Sequence, residues 1–279
     1  MPIIDTHVHY NLPPLSDDWP LHWQRAQAHD VIGAIVIGVD LKSSQLAVSQ
    51  ANQVQNWYSA VGIHPESAQP IDHSVEIVKD QLTVELGKIK ALTKSDQVIA
   101  LGECGLDYFR LPNDQTLALD IIDLQKWLLH QQLTLAKQLN LPLIIHLRDK
   151  KEQAYWDFIQ IYRQTGFASP FVLHCVSGPL SFIKQALDLG AYIGIDGNIT
   201  YPQANDLRAI VKMTPPHRVL LETDAPYLPP VPHRGKTCLP EMIELTGKYL
   251  KLTFGLDLLQ ILENTTTFFP AFKAQADEG

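Results

Sequence analysis

Asp5-Thr6-His7-Val8-His9 follows directly on the apolar Pro2-Ile3-Ile4 near the amino terminus. Read as a β-strand, this stretch alternates its side chains between two faces, so His7 and His9 point one way and Val8 the other. Two imidazoles side by side can grip one metal ion. A histidine pair alone is a weak signal; it gains weight because later apolar runs also end in His, Glu or Asp.

Residues 31–39 read as a fully buried strand. Residues 58–63 end at His64-Pro65, 98–102 run into Glu103, and 142–145 stop at His146. Further along, 171–173 lead to His174, 191–195 reach Asp196, and 218–223 deliver Asp224. Helical patterns separate these runs at 16–30, 43–56, 74–91, 117–139, 153–164, 180–189 and 206–213, and two more close the chain at 241–252 and 256–269. The clearest is 117–139, where Leu117, Ile121, Leu124, Leu128, Leu135 and Leu139 form one apolar stripe.

Alternation of strand and helix implies a parallel sheet, and eight such units imply a closed α/β barrel, the (β/α)8 TIM barrel, as one domain over residues 1–279. A doubly wound open sheet is the alternative, but no strand is followed by a glycine-rich phosphate fingerprint. The length of 279 residues is near the roughly 250 typical of such a barrel. With 46% hydrophobic and 19% charged residues the composition is that of a soluble globule, and no apolar run approaches the roughly 18 residues of a membrane span. No export signal opens the chain, and Cys104, Cys175 and Cys238 are too few and scattered for a disulfide framework, so a cytoplasmic location is expected. A net charge of −8 argues against an extended basic surface for duplex nucleic acid, though not against a local cationic mouth.

In a barrel all strand ends meet on one rim, which would gather His7, His9, Glu103, His146, His174 and Asp224 into one cluster. Four neutral imidazoles and two carboxylates suit Zn²⁺, Mn²⁺, Fe²⁺ or Co²⁺, and the carboxylates admit Mg²⁺. Six donors exceed the three of a catalytic zinc and are about right for two divalent ions. Cys104 and Cys175 adjoin ligands, so alternation turns them away from the rim centre into packing roles. His22, His29, His73, His130, His217 and Asp196 receive no function.

Asp5-Thr6-His7-Val8-His9, residues 102–108 (Gly-Glu-Cys-Gly-Leu-Asp-Tyr), His146-Leu147-Arg148-Asp149, His174-Cys175 and residues 222–226 (Glu-Thr-Asp-Ala-Pro) resemble the successive signatures of the TatD family of metal-dependent hydrolases over practically the full chain. The resemblance implies an amidohydrolase-type barrel and a divalent-metal-dependent deoxyribonuclease of exonuclease-like action. It suggests His7, His9 and Asp224 on one metal, His146 and His174 on the other, and Glu103 bridging. His64 matches a Gly-Ile-His-Pro element associated with binding the scissile phosphate. In residues 233–240, Thr237 and Cys238 stand where the family's loop usually has Arg and Asn, which bears on substrate preference.

The same function can be argued from charge. Metal binding lowers the pKa of water from about 15.7 toward roughly 7, and two ions can stabilise both the attacking and the leaving oxygen. Asp224 is the candidate to accept the water's proton. His64, Arg148, Arg234 and Lys236 can supply positive charge to a phosphate, Arg bidentately. These groups favour phosphate, and with what the resemblance implies DNA is the expected substrate, at accessible single-stranded ends, with no membrane association and no obligate protein partner expected. The alternatives are hydrolysis of an amide, ester or lactone at the same centre, which would favour an apolar pocket, and a purely structural metal, which would favour closed coordination.

Overall fold

The computed structural model describes residues 1–70 and 74–274; His73 lies outside them. The apolar runs form β1 (Ile3–Val8), β2 (Val31–Ile37), β3 (Trp57–Val61), β4 (Val98–Asp107), β5 (Leu143–Arg148), β6 (Phe171–Leu173), β7 (Tyr192–Ile195) and β8 (Val219–Leu221). They make one eight-stranded sheet in sequential order, and each strand is parallel to the next. β8 meets β1 through a bridge between Val8 and Ala225 and through hydrogen bonds from His9 N to Ala225 O (2.8 Å) and from Asp224 N to His7 O (2.9 Å). Side chains stitch the same seam, since Thr6 Oγ1 donates to Leu221 O (3.1 Å) and Thr223 N donates to Asp5 Oδ1 (3.0 Å). The sheet is a nearly closed barrel.

Helices α1 (Trp19–Ala28), α2 (Leu41–Ala51), α3 (Val75–Leu92), α4 (Gln115–Leu139), α5 (Gln153–Thr165), α6 (Leu180–Asp188) and α7 (Asn205–Met213) return the chain from each strand to the next. After β8 come α8 (Ile243–Phe254), α9 (Leu258–Phe268) and α10 (Ala271–Ala274). Helix starts follow the capping chemistry of the sequence: Asp40 closes a capping box on α2, and Asp114 accepts from Leu117 N at 3.0 Å on α4. No described helix is long and apolar enough to cross a membrane.

Two apolar layers divide the strands' faces. One packs strands against helices; in β2, Ala34 and Val36 belong to it. The other takes at least one residue from every strand, among them Ile4, Ile35, Ala60, Ala100, Ile144, Val172, Tyr192 and Leu220, and is the lumen of the barrel. Phe268, Phe269 and Phe272 join the lumen layer from the carboxyl-terminal helices and plug its floor; Tyr58 Oη donates to Ala271 O (2.8 Å) there. Burying each phenylalanine stabilises the plug by about 1.5–3 kcal/mol.

From this layer the period of two carries donors up the lumen. His146 lies two residues beyond Ile144, His174 two beyond Val172, and Glu222 two beyond Leu220. His7 and Glu103 stand three residues beyond Ile4 and Ala100, an odd spacing that on an unbroken strand would face them outward. Register irregularities between Asp5 and Val8 and between Leu101 and Cys104 re-aim both into the lumen.

Candidate metal centre

Glu103 stands at the middle of the cluster with its two oxygens facing different donors. Oε2 lies 3.5 Å from His7 Nε2 and 3.9 Å from His9 Nε2. Oε1 lies 2.8 Å from His174 Nε2, 3.0 Å from His146 Nδ1 and 3.5 Å from His64 Nε2. Asp224 closes the first side, with Oδ1 3.4 Å from His9 Nε2 and 3.7 Å from His7 Nε2. Ligand atoms of His7, His9 and Asp224 all lie within 4.8 Å of one another, as do those of His7, Glu103 and His174. All six expected donors therefore converge.

The ring partners decide which nitrogen is free. His9 Nδ1 donates to Ile37 O (3.1 Å), which leaves the Nε2 lone pair for the cluster. Neither ring nitrogen of His7 has a hydrogen-bond partner, although the side chain is fully buried. A buried, unpartnered imidazole between two carboxylates fits a cation, because it would otherwise carry a desolvation cost with nothing to offset it. His64 differs: its Nδ1 accepts from Glu66 N (3.2 Å), so the neutral ring carries its proton on Nε2 and offers a donor. That suits a substrate oxygen better than a metal.

Electrostatics follow from burial and crowding. Burial opposes ionisation of Glu103, yet the facing imidazoles of His174 and His64 hold its carboxyl well below the usual range. Burial, with His174 nearby, pulls His7 down to about 4, and burial beside His146 pulls His64 to about 3. His146 is pushed up to about 9: burial opposes the charge, but hydrogen bonds to Asp107 and Glu103 overcome it. Asp224 stays below its ordinary value against its own burial, chiefly through His9.

Sequence reasoning missed several residues here. Asp107, at the end of β4, lies 3.2 Å from His146 Nε2 through Oδ2 and turns Nδ1 of that ring to Glu103. Glu222 accepts from Cys175 N at 2.6 Å and faces His174 Nδ1 at 3.9 Å. Its space depends on Gly194, where a Cβ would come within 2.3 Å of Glu222 Oε2. Asp196 is buried beside Asp224, and burial raises it to about 7. The carboxylates in the 102–108 and 222–226 motifs were the available signal for the first two.

Cys104 is buried and packs as expected, but Cys175 does not turn away. β6 ends at Leu173, and at Cys175 φ is +43°, so strand alternation no longer applies and the side chain lines the metal cavity near Asp196 and Asp224. That cavity has a volume of about 830 Å³, and His64 and Arg148 also line it. Arg148 Cζ lies 3.9 Å from the ring centre of Phe109 at its edge. The other two expected cations are not at the centre. Arg234 lines a neighbouring groove, and Lys236, exposed in the loop after β8, lines neither space.

A parallel eight-stranded barrel with histidines and carboxylates gathered over its lumen is the architecture of a metal-dependent hydrolase. The chain belongs to the TatD family: the family described as TatD related DNase matches residues 4–272. The uncharacterized metal-dependent hydrolase YabD of Bacillus subtilis (strain 168) is 31% identical over 265 residues, 95% of this chain and 96% of that protein. The 3'-5' ssDNA/RNA exonuclease TatD of Klebsiella pneumoniae (strain 342) is 33% identical over 211 residues, 74% of this chain and 71% of that protein. The crystal structure of YjjV, a TatD homolog from Escherichia coli K12, superposes with a TM-score of 0.79 at 31% identity, covering 96% of this chain and 98% of that one.

Proposed function

We propose that the chain is a two-metal phosphodiesterase that trims accessible single-stranded ends of DNA. The observation that carries this reading is the division of Glu103, whose oxygens face His7 and His9 on one side and His146 and His174 on the other. His7, His9 and Asp224 would hold one divalent ion and His146 and His174 the second, with Glu103 shared. Zn²⁺, Mn²⁺ and Mg²⁺ are all compatible with the donor set. Such ions supply Lewis acidity to a phosphoryl oxygen and a lowered pKa to water.

The chain's own residues do the rest. Asp224, held ionised against its burial, accepts the proton of the attacking water. His64 presents its Nε2 proton to a phosphate oxygen, and Arg148 adds a guanidinium at the cavity edge. These donors favour phosphate over a carbonyl substrate, and the exonuclease name of the Klebsiella relative points the same way. A cytoplasmic site of action belongs to this reading, and the three free cysteines suit a reducing compartment.

The test is a metal-supplemented screen of single-stranded DNA, duplex DNA, RNA and small phosphoesters alongside amides and lactones. We expect phosphodiester hydrolysis that chelation abolishes and Mg²⁺ or Mn²⁺ restores, and Glu103→Ala should lose nearly all of it while staying folded. Hydrolysis of lactones or amides but not of phosphodiesters would overturn the reading.

A further inference from the structure

The metal cavity does not end at the metal donors. Past Tyr155, Ser177 and Asn198, which border both spaces, it opens into a second groove of about 640 Å³. That volume is within the ~300–1,000 Å³ of small-molecule sites, so together the two spaces have room for more than one unit of a polymer.

The far wall of this groove combines an aromatic ring with a planar cation. Arg234 Cζ lies 4.6 Å from the ring centre of Tyr201, and Arg234 Nη1 donates to Gln203 Oε1 at 3.2 Å. Tyr201 is fixed at its other end, where Oη donates to Pro229 O (2.9 Å). On the side nearer the metal donors stands Lys150, whose Nζ is 4.1 Å from the ring centre of Phe109, a residue of the metal cavity. A guanidinium over a tyrosine ring puts an aromatic surface for a base beside N–H groups for a phosphate, the pairing that binds single strands without sequence preference.

We propose that this groove holds the nucleotides adjoining the phosphodiester at Glu103, so that a single strand runs from the metal cavity over Lys150 to Tyr201 and Arg234. The inference rests on the phosphodiesterase reading and adds the strand's course to it. Three carboxylates border the groove. Asp149 is committed to backbone donors at the start of α5, accepting from Lys151 N and Ala154 N, whereas Glu152, the N-cap residue of that helix, makes no side-chain cap hydrogen bond; Asp206 is in the first turn of α7. Among the described residues two cations, Lys150 and Arg234, border the groove itself, beyond Arg148 in the metal cavity, so binding in the groove is carried more by stacking than by charge. The groove's share of the salt dependence is correspondingly small, about −0.7 per phosphate contact in log–log slope for single strands.

Fluorescence anisotropy of labelled oligothymidylates in chelator reads binding without cleavage. Lengths from about 2 to about 12 nucleotides bracket the low end of known single-strand sites. Affinity should climb with length until the groove is filled and then level off. Arg234→Ala, at an exposed position, should cost the longer oligonucleotides roughly tenfold and make the salt slope shallower by about 0.7; Tyr201→Ala should also cut the gain with length. Unchanged length dependence and salt slope in Arg234→Ala and Lys150→Ala, or no oligonucleotide binding at all, would overturn the proposal. Metal-restored cleavage is scored separately. Length-dependent binding without cleavage supports the groove and refutes the phosphodiesterase reading; cleavage with length-independent binding does the reverse.

Discussion

Asp107 Oδ2 and His146 Nε2 lie 3.2 Å apart at the ends of neighbouring strands. The carboxylate takes one side of the imidazole and commits the other, Nδ1, to Glu103. Asp107 is itself fixed at both backbone atoms by the buried Gln125 of α4, which accepts from Asp107 N at 2.9 Å and donates to Asp107 O at 3.1 Å. Carboxylates of this kind orient a ligand ring and raise its basicity, and losing one typically costs 10–100-fold in metal affinity. Asp107→Ala should therefore weaken the ion proposed at His146 and His174 by about that factor, leaving the one proposed at His7, His9 and Asp224 nearly unaffected, as isothermal titration of apoprotein would show. Equal affinities in the variant and the parent would remove Asp107 from the site.

The unpartnered nitrogens of His7, deep in the lumen, make the centre expensive to leave without a cation. Calorimetric scans should show a lower melting temperature after chelation and recovery on adding Zn²⁺ or Mn²⁺. At 1,000-fold excess over the dissociation constant, the gain is about 4 kcal/mol per site. Elemental analysis of the restored protein should give up to two equivalents. A melting temperature indifferent to metal would show that the cluster is satisfied without it.

Gly194 owes its identity to Glu222. A methyl group there would meet Glu222 Oε2 at 2.3 Å, and Glu222 is too deeply buried to swing into solvent. Gly194→Ala should destabilise the fold by about 1–3 kcal/mol through overpacking and disturb His174, which Glu222 faces. Urea unfolding followed by circular dichroism measures the first effect. An unchanged midpoint would mean that the lumen yields more easily than its packing suggests.

Asp5 titrates with a defined sign. Burial is the main cause that raises its carboxyl from 3.8 to about 7, against hydrogen bonds from Thr223 and His7 that favour the charged form. Between those values the unfolded chain has released a proton that the folded protein retains, so this group's contribution to stability falls as pH rises through the window and is lost above it. In metal-free protein, Asp5→Asn should remove that component. The difference in unfolding free energy between parent and variant should shift in the variant's favour from about pH 4 to about pH 7 and then stay flat. A constant difference over the window would show that Asp5 is ionised throughout.

Much of this was legible in the chain itself, and the exceptions have identifiable causes. His146 and His174 lie two residues beyond lumen residues of β5 and β6, so reading strand ends was enough to bring them together, whereas Asp224, three residues past the end of β8 and with φ +55°, reaches the cluster from a turn. His7 and Glu103 were placed correctly for an incomplete reason. Their inward aim depends on register irregularities in β1 and β4, which depend on pairing between strands and have no local sequence signature. The same gap misplaced the end of β4, which runs on past Gly102 to Asp107 and so brings a further carboxylate to His146. Cys175 was misread because alternation was carried past the end of β6 into a residue with positive φ. Arg234 and Lys236 were grouped with the cations of the centre because a loop's course cannot be read from its composition; one borders the neighbouring groove and the other neither space.

Phe268, Phe269 and Phe272 seal the barrel opposite the metal donors. Nothing can pass through the tube, so whatever is split at the centre must back out by the door through which it came. Under the proposed phosphodiesterase reading, an incoming strand and the spent fragment therefore share the one face that carries the metal cavity and its adjoining groove.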